Sequence, residues 1–173
     1  MKKFLASLCL VLSACGASFA RAMEQPDAWI LEDIALYRSK TWHYQGLMGI
    51  GPTRTRDTAA NDPSRTYKLW VRSLWLNRAK QAKARFESGP PHQRQWNCIH
   101  RYEGAWTDRG APYYGGLQMD IAFMRLYGGK LLRTKGTADR WTPLEQMWVA
   151  EKAFKSGRGF YPWPNTARYC GLI

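Results

Sequence analysis

The chain is short of acids, of cysteines and of long apolar runs, and each shortage excludes something. Thirteen Asp and Glu stand against 26 Lys and Arg across 173 residues, a formal charge of +13. Such a field favours anionic partners over acidic-surface chemistry. Beyond the N-terminal segment no stretch approaches ~18 consecutive apolar residues, which argues against a second membrane span. There is no CxxC pair, and His43, His92 and His100 have no ligand spacing with cysteines, so neither a metal nor an organic cofactor is expected. No short period runs through the chain and no internal repeat appears, which excludes collagen-like and coiled-coil architectures. No run reads as a strand long enough for a barrel or sandwich. What is present is apolar: 45% hydrophobic residues and 14% aromatics, nine of them Trp. That supports a core and excludes wholesale disorder, while the length suits one small domain with an extension.

Lys2-Lys3 precede an apolar run from Phe4 to Val11 that continues through small residues to Ala20, the pattern of an export signal over residues 1–22. Ser18-Phe19-Ala20 or Ala20-Arg21-Ala22 suits ordinary signal peptidase. Leu12-Ser13-Ala14-Cys15-Gly16 suits lipidation at Cys15 instead, which would tether the protein outside the membrane. On either route the chain is expected to be extracellular or wall-associated. Removing 1–22 leaves 23 basic and 13 acidic residues, a charge of +10. It also removes Cys9 and Cys15, leaving Cys98 and Cys170. Two cysteines in an exported chain are expected to form one disulfide, whose loop of roughly 70 residues would contribute about 4 kcal/mol on the chain-entropy view.

Residues 23–90 read as a basic helical region. Asp27 can cap a helix carrying Ile30, Ile34 and Tyr37, and Ser64 can cap a longer one whose stripe is Tyr67, Trp70, Val71, Leu74 and Trp75. That second helix holds Lys68, Arg72, Arg78, Lys80, Lys83 and Arg85, either a solvated face or a surface for wall polymers or lipid. Ser88-Gly89-Pro90-Pro91 marks a boundary. Residues 91–173 read as a compact unit: a helix over about 93–102, a glycine- and aromatic-rich stretch from Gly104 to Gly116, and a buried helix from Met119 to Tyr127 ended by Gly128-Gly129. A further helix is announced by Thr142, Pro143 and Glu145 as cap, first-turn proline and capping box. The tail over 161–165 reads as extended.

Acids in this unit are Glu103, Asp108, Asp120, Asp139, Glu145 and Glu151. Capping explains Glu145, and helix-surface charge explains Glu151. Glu103 has no such explanation: it ends the Trp96 helix among Tyr102, Trp106, Tyr113 and Tyr114. A carboxyl beside aromatic walls at a helix C-terminus is expected to hold its proton more tightly, since desolvation and the negative helix end disfavour the anion. Such a group can act as a general acid. The opposing reading is an ion pair with Arg101 or Arg109.

The series Trp96-Asn-Cys-Ile-His-Arg-Tyr-Glu103-Gly-Ala-Trp106, Tyr113-Tyr-Gly-Gly-Leu-Gln118, Tyr127-Gly-Gly129, the Thr142–Glu151 helix, Tyr161-Pro-Trp-Pro164 and Cys170-Gly171 resembles the catalytic domain of resuscitation-promoting factors. These are transglycosylase-like proteins of the lysozyme-like superfamily, and the resemblance covers about residues 94–173. It implies a mostly helical α+β fold, a small lysozyme-like domain behind a helical arm. It also implies cleavage of the MurNAc–GlcNAc bond of peptidoglycan by Glu103. Gln118, Tyr114, Tyr113 and Asp120 would line the cleft, and Trp106, Trp141 or Trp163 would stack on sugar rings or pack in the core. The family's cysteine directly before its glutamate is Tyr102 here. Cys98 lies one turn back on that helix face, so a Cys98–Cys170 bridge would preserve the family's disulfide.

A second carboxylate, the base or nucleophile of glycoside hydrolysis, has only Asp108 and Asp120 as candidates, and either can cap a turn instead. A lytic transglycosylase needs none, because the substrate's own hydroxyl captures the sugar cation. His100 can modulate Glu103 or serve the core. The expectation is a monomeric, exported peptidoglycan glycosidase whose basic arm meets anionic wall polymers or lipid. Its rivals are a non-catalytic wall-binding protein and a nucleic-acid binder, the latter unsupported by any helix-turn-helix, RNP or zinc motif.

Overall fold

The computed structural model describes residues 27–173; the expected signal and Cys15 lie outside the described residues. The chain is mostly helical with one small sheet. Helix α1 (Ala28–Leu47) and helix α2 (Arg65–Glu87) open it. Asp27 meets Lys68, Asp33 meets Arg72, and Tyr44 meets Phe86, so the two helices run side by side in the same direction. Residues 48–64 return the chain along them, pinned by Gln45 to Thr53 and by Arg38 to Asp57. Ile30, Ile34, Ala59, Val71 and Trp75 fill the space between.

Ser64 caps α2 as its sequence suggests, accepting from the Tyr67 amide. Asp27 does not cap α1. Its carboxylate instead takes Arg65 and Lys68 of α2, because two cations across the interface outcompete one exposed amide.

Helix α3 (Gln93–Glu103) follows, then a two-residue antiparallel pair, β1 (Tyr113–Tyr114) and β2 (Met119–Asp120), with Tyr113 opposite Asp120 and Tyr114 opposite Met119. Helix α4 (Ile121–Lys135), a 3₁₀ turn (Ala138–Arg140), helix α5 (Pro143–Ala153), a π turn (Phe154–Arg158) and helix α6 (Pro164–Tyr169) complete the fold. Helix α5 is the axis. Its capping box forms between Thr142 and Glu145, and the run from Glu145 to Glu151 is buried all round, as a helix wrapped by its neighbours must be. Trp96, Ile99, Leu117, Met124, Trp141, Trp148 and Trp163 pack about it.

Four sequence expectations are corrected. Gly128 breaks α4 without ending it: its backbone leaves the helical region (φ −119°, ψ 17°), the helix kinks there, and it resumes to stop at Gly136. A Cβ at residue 128 would lie 2.5 Å from Trp141 Cη2, so the glycine also admits a tryptophan. Helix α4 begins at Ile121, with Met119 and Asp120 in β2. The segment at 164–169 is helical, started by Pro164 at its first position. Glu151 is not a surface charge: it is fully buried, accepting from the Trp96 indole at 3.0 Å and from His92 Nδ1 at 3.1 Å.

Nor is the N-terminal pair a detached arm. Leu47, Met48 and Phe86 belong to the main core, and the Trp148 indole donates to the Phe86 carbonyl at 3.0 Å. Cys98 and Cys170 are joined, with Cα atoms 6.1 Å apart. Among the described residues no helix is long and apolar enough to cross a membrane.

Candidate active site

Glu103 is the last residue of α3, one turn beyond Ile99 and two beyond Trp96 on the same helix face, so it stands where the buried stripe of that helix reaches the protein surface. Helix α6 comes to meet it. Thr166 Oγ1 lies 2.7 Å from Glu103 Oε1 and 3.3 Å from the Trp163 carbonyl. A hydroxyl is both donor and acceptor. It donates to the carboxylate when Glu103 is ionised. When Glu103 is protonated it can accept from the acid and donate to the Trp163 carbonyl instead. The carboxyl is thereby held in one place through both protonation states.

Glu103 is half-buried and enters no ion pair among the described residues. Arg109, one of the two arginines that could have claimed it, reaches Asp139 at 3.6 Å, and Arg101 is exposed. Beside Glu103 opens a cleft of about 220 Å³ lined by Tyr113, Gln118, Trp163 and Asn165. Through Tyr113, Gln118 and Trp163 it continues into a wider section of about 310 Å³, bounded by Asp120, Phe123, Leu126 and Arg158. The whole is an open groove with one acid at its end, mixed aromatic and polar walls, and a cation at the far rim.

The loop between α3 and β2 is built to present Gln118. Gln118 has φ of +46°, an unusual conformation for a residue with a Cβ. It is held there by its amide nitrogen, which donates to Asp108 Oδ2 at 2.7 Å and to the Gly115 carbonyl at 3.0 Å. The preceding glycines answer steric need. Gly115 has φ of +73° and leaves no room for a Cβ beside Gln146, and a Cβ on Gly116 would lie 2.6 Å from both His100 and Trp106. Beneath them the fully buried Gln146 accepts from the Gly116 amide and donates to the carbonyls of Trp106, Ala138 and Trp141. One side chain of α5 thus anchors both loops behind the groove.

The structure brings Glu103, Tyr113, Gln118 and Asp120 to this groove. It does not bring Tyr114 or Trp106. Strand alternation turns Tyr114 into the core while Tyr113 stays 49% exposed. Trp106 stacks flat on His100, ring centroids 3.9 Å apart, and His100 is itself engaged by the Gly116 carbonyl at 3.1 Å. His100 is therefore a loop support. Tyr102, expected beside Glu103, is 57% exposed and leans on Tyr169. Trp141 is a core residue, its indole held by the Gly136 carbonyl. Trp163 contributes a wall, its indole fixed to the Leu117 carbonyl.

Both candidate second carboxylates have work in the fold, Asp108 through both oxygens and Asp120 through one. Asp108 accepts from the Gly110 amide and from Gln118, and Asp120 caps α4 by accepting from the Phe123 amide at 2.6 Å. Sequence reasoning missed Thr166, Gln146 and Arg158. No local signal marks the first two, since their partners lie 63 and 30 residues away for the Glu103 and Gly116 bonds. No protein-family model matches the chain, and no curated protein or solved structure does either.

Proposed function

We propose that this protein is an exported glycosidase that cuts the glycan strand of peptidoglycan between MurNAc and GlcNAc, with Glu103 as its acid. The observation that carries the reading is the setting of Glu103: a carboxyl at the end of a groove, gripped by a neutral hydroxyl and by no cation. The resemblance of residues 94–173 to resuscitation-promoting factors supports the same assignment. A glycan chain fits a groove open at its side, with a sugar face against the exposed Tyr113 ring and hydroxyls toward the Gln118 side-chain carbonyl.

Glu103 gives its proton to the glycosidic oxygen as the bond to the muramyl C1 breaks. Because Asp108 has both oxygens engaged by its loop and Asp120 serves as the cap of α4, we assign the second half of the reaction to the substrate. The muramyl 6-hydroxyl attacks C1, Glu103 takes back the hydroxyl proton, and an anhydromuramyl end forms without consuming water. Export over residues 1–22 would place the enzyme at its substrate.

Purified peptidoglycan incubated with the oxidised chain from residue 23 onward should release soluble muropeptides whose muramyl ends are lighter by one water in mass spectrometry. Glu103→Gln should lower the rate about 10³-fold while leaving glycan binding in place. Glycan binding without release from the wild type would make the protein a wall-binding module and end the enzymatic reading.

A further inference from the structure

The basic stretch of α2 divides in the folded protein. Arg65, Lys68 and Arg72 turn inward to Asp27 and Asp33 of α1. Lys80 and Lys83 turn the other way, into a cleft of about 500 Å³ that Lys40 and His43 of α1 and Lys130 of α4 also line. Four lysines from three helices meet there. No acidic side chain among the described residues lines the cleft; Glu87 pairs with Lys83 at 2.9 Å from outside it, and the Glu145 charge reaches His43. Lys130 Nζ lies 3.5 Å from His43 Nδ1, and burial together with the Lys130 charge pulls that imidazole below its ordinary range. Gathering like charges costs free energy unless an anion neutralises them.

The floor beneath the lysines is carbon: Tyr37, Tyr44, Leu76 and Ala79. A bare inorganic ion would leave that floor uncovered. The cleft's cations are all ammonium groups, which meet phosphate as point charges, and arginine's planar fork for paired carboxylate oxygens is missing from the lining. Its concavity suits a chain lying in it and not a membrane plane. We propose that this cleft binds a segment of a polyanionic chain in which phosphodiester groups alternate with short carbon linkers. Lys40, Lys80, Lys83 and Lys130 face the phosphates, and Tyr37, Tyr44 and Leu76 cover the linkers. The site is separate from Glu103 and needs no glycan cleavage.

Poly(glycerol phosphate) titrated into the Glu103→Gln protein, followed by calorimetry, should show binding that weakens steeply between about 50 and 200 mM salt. The double variant Lys80→Gln/Lys130→Gln should lose about ten-fold in affinity. Arg94→Gln/Arg125→Gln, which removes the same charge from exposed positions outside the cleft, should change it less than about two-fold. All four positions are exposed, and unchanged circular dichroism will confirm that the variants fold. Equal losses from both pairs would reduce the effect to net charge and overturn the site. So would equally tight binding of polyglutamate, or binding to phosphatidylglycerol vesicles with none to the polymer.

Discussion

In the α1–α2 region, ion pairs link the elements, partly exposed between Arg72 and Asp33 and largely buried between Lys68 and Asp27 and at Asp57 in the return segment, beside a modest strip of apolar residues. In residues 91–173 the polar links run through the interior. Glu151 and Gln146 are fully buried, each tying α5 to distant backbone or aromatic groups, within a core holding Trp96, Trp141, Trp148 and Trp163. Ion pairs at a surface contribute little individually and are screened by salt. Buried polar groups are costly unless satisfied, and so they specify one arrangement. The groove belongs to the second region, where buried polar links hold its loop and the end of α3 in one arrangement.

Four substitutions test this contrast. Trp148→Ala removes the indole that stacks on Phe86 and bonds its carbonyl, the joint between the regions. It should cost about 4 kcal/mol, and hydrogen exchange should show α1 and α2 opening before the rest. If they stay as protected as α5, the two regions are one cooperative unit. Gln146→Ala strips three carbonyls and one amide of their partner and should cost about 3 kcal/mol. Under the glycosidase reading it should also depress turnover, although Gln146 touches no groove wall.

Asp57→Asn tests the first region. Burial works against the Asp57 anion, but bonds from the Trp75 indole, Thr55 and Arg38 prevail and hold it below its ordinary 3.8. Its contribution is therefore present above the unfolded value and lost as pH falls through the folded one. The variant should be about 1–2 kcal/mol less stable at neutrality, and the gap should close below about pH 4 in urea titrations. A gap that widens in acid would reverse the assignment. Arg72→Ala should change stability by less than about 1 kcal/mol, and less again in high salt; a larger, salt-independent loss would show that the Arg72–Asp33 pair behaves as a buried one.

Local signals proved readable in the sequence and remote ones did not. The Ser64 cap, the Thr142–Glu145 capping box, the position of Glu103 at a helix end and the Cys98–Cys170 pairing all depend on short spacings or on a small inventory. Asp27 misled because a cap and an ion pair look alike until the partner helix is placed. Gly128 was half legible: it breaks the helix as its letter suggests, but the chain resumes beyond the kink because Trp141 packs against it. At the groove, Glu103 and Gln118 were readable. Thr166 was not, since a lone threonine in a six-residue helix announces nothing until that helix docks.

A helix as short as α6 cannot hold its own shape in water. The bridge from Cys98 on α3 to Cys170 at the end of α6 therefore clamps together the two segments that carry Glu103 and Thr166. Opening that clamp would free the threonine to drift from the acid while the tryptophan core stays intact. Under the glycosidase reading, reduction of that one bridge would therefore blunt the acid without unfolding the chain.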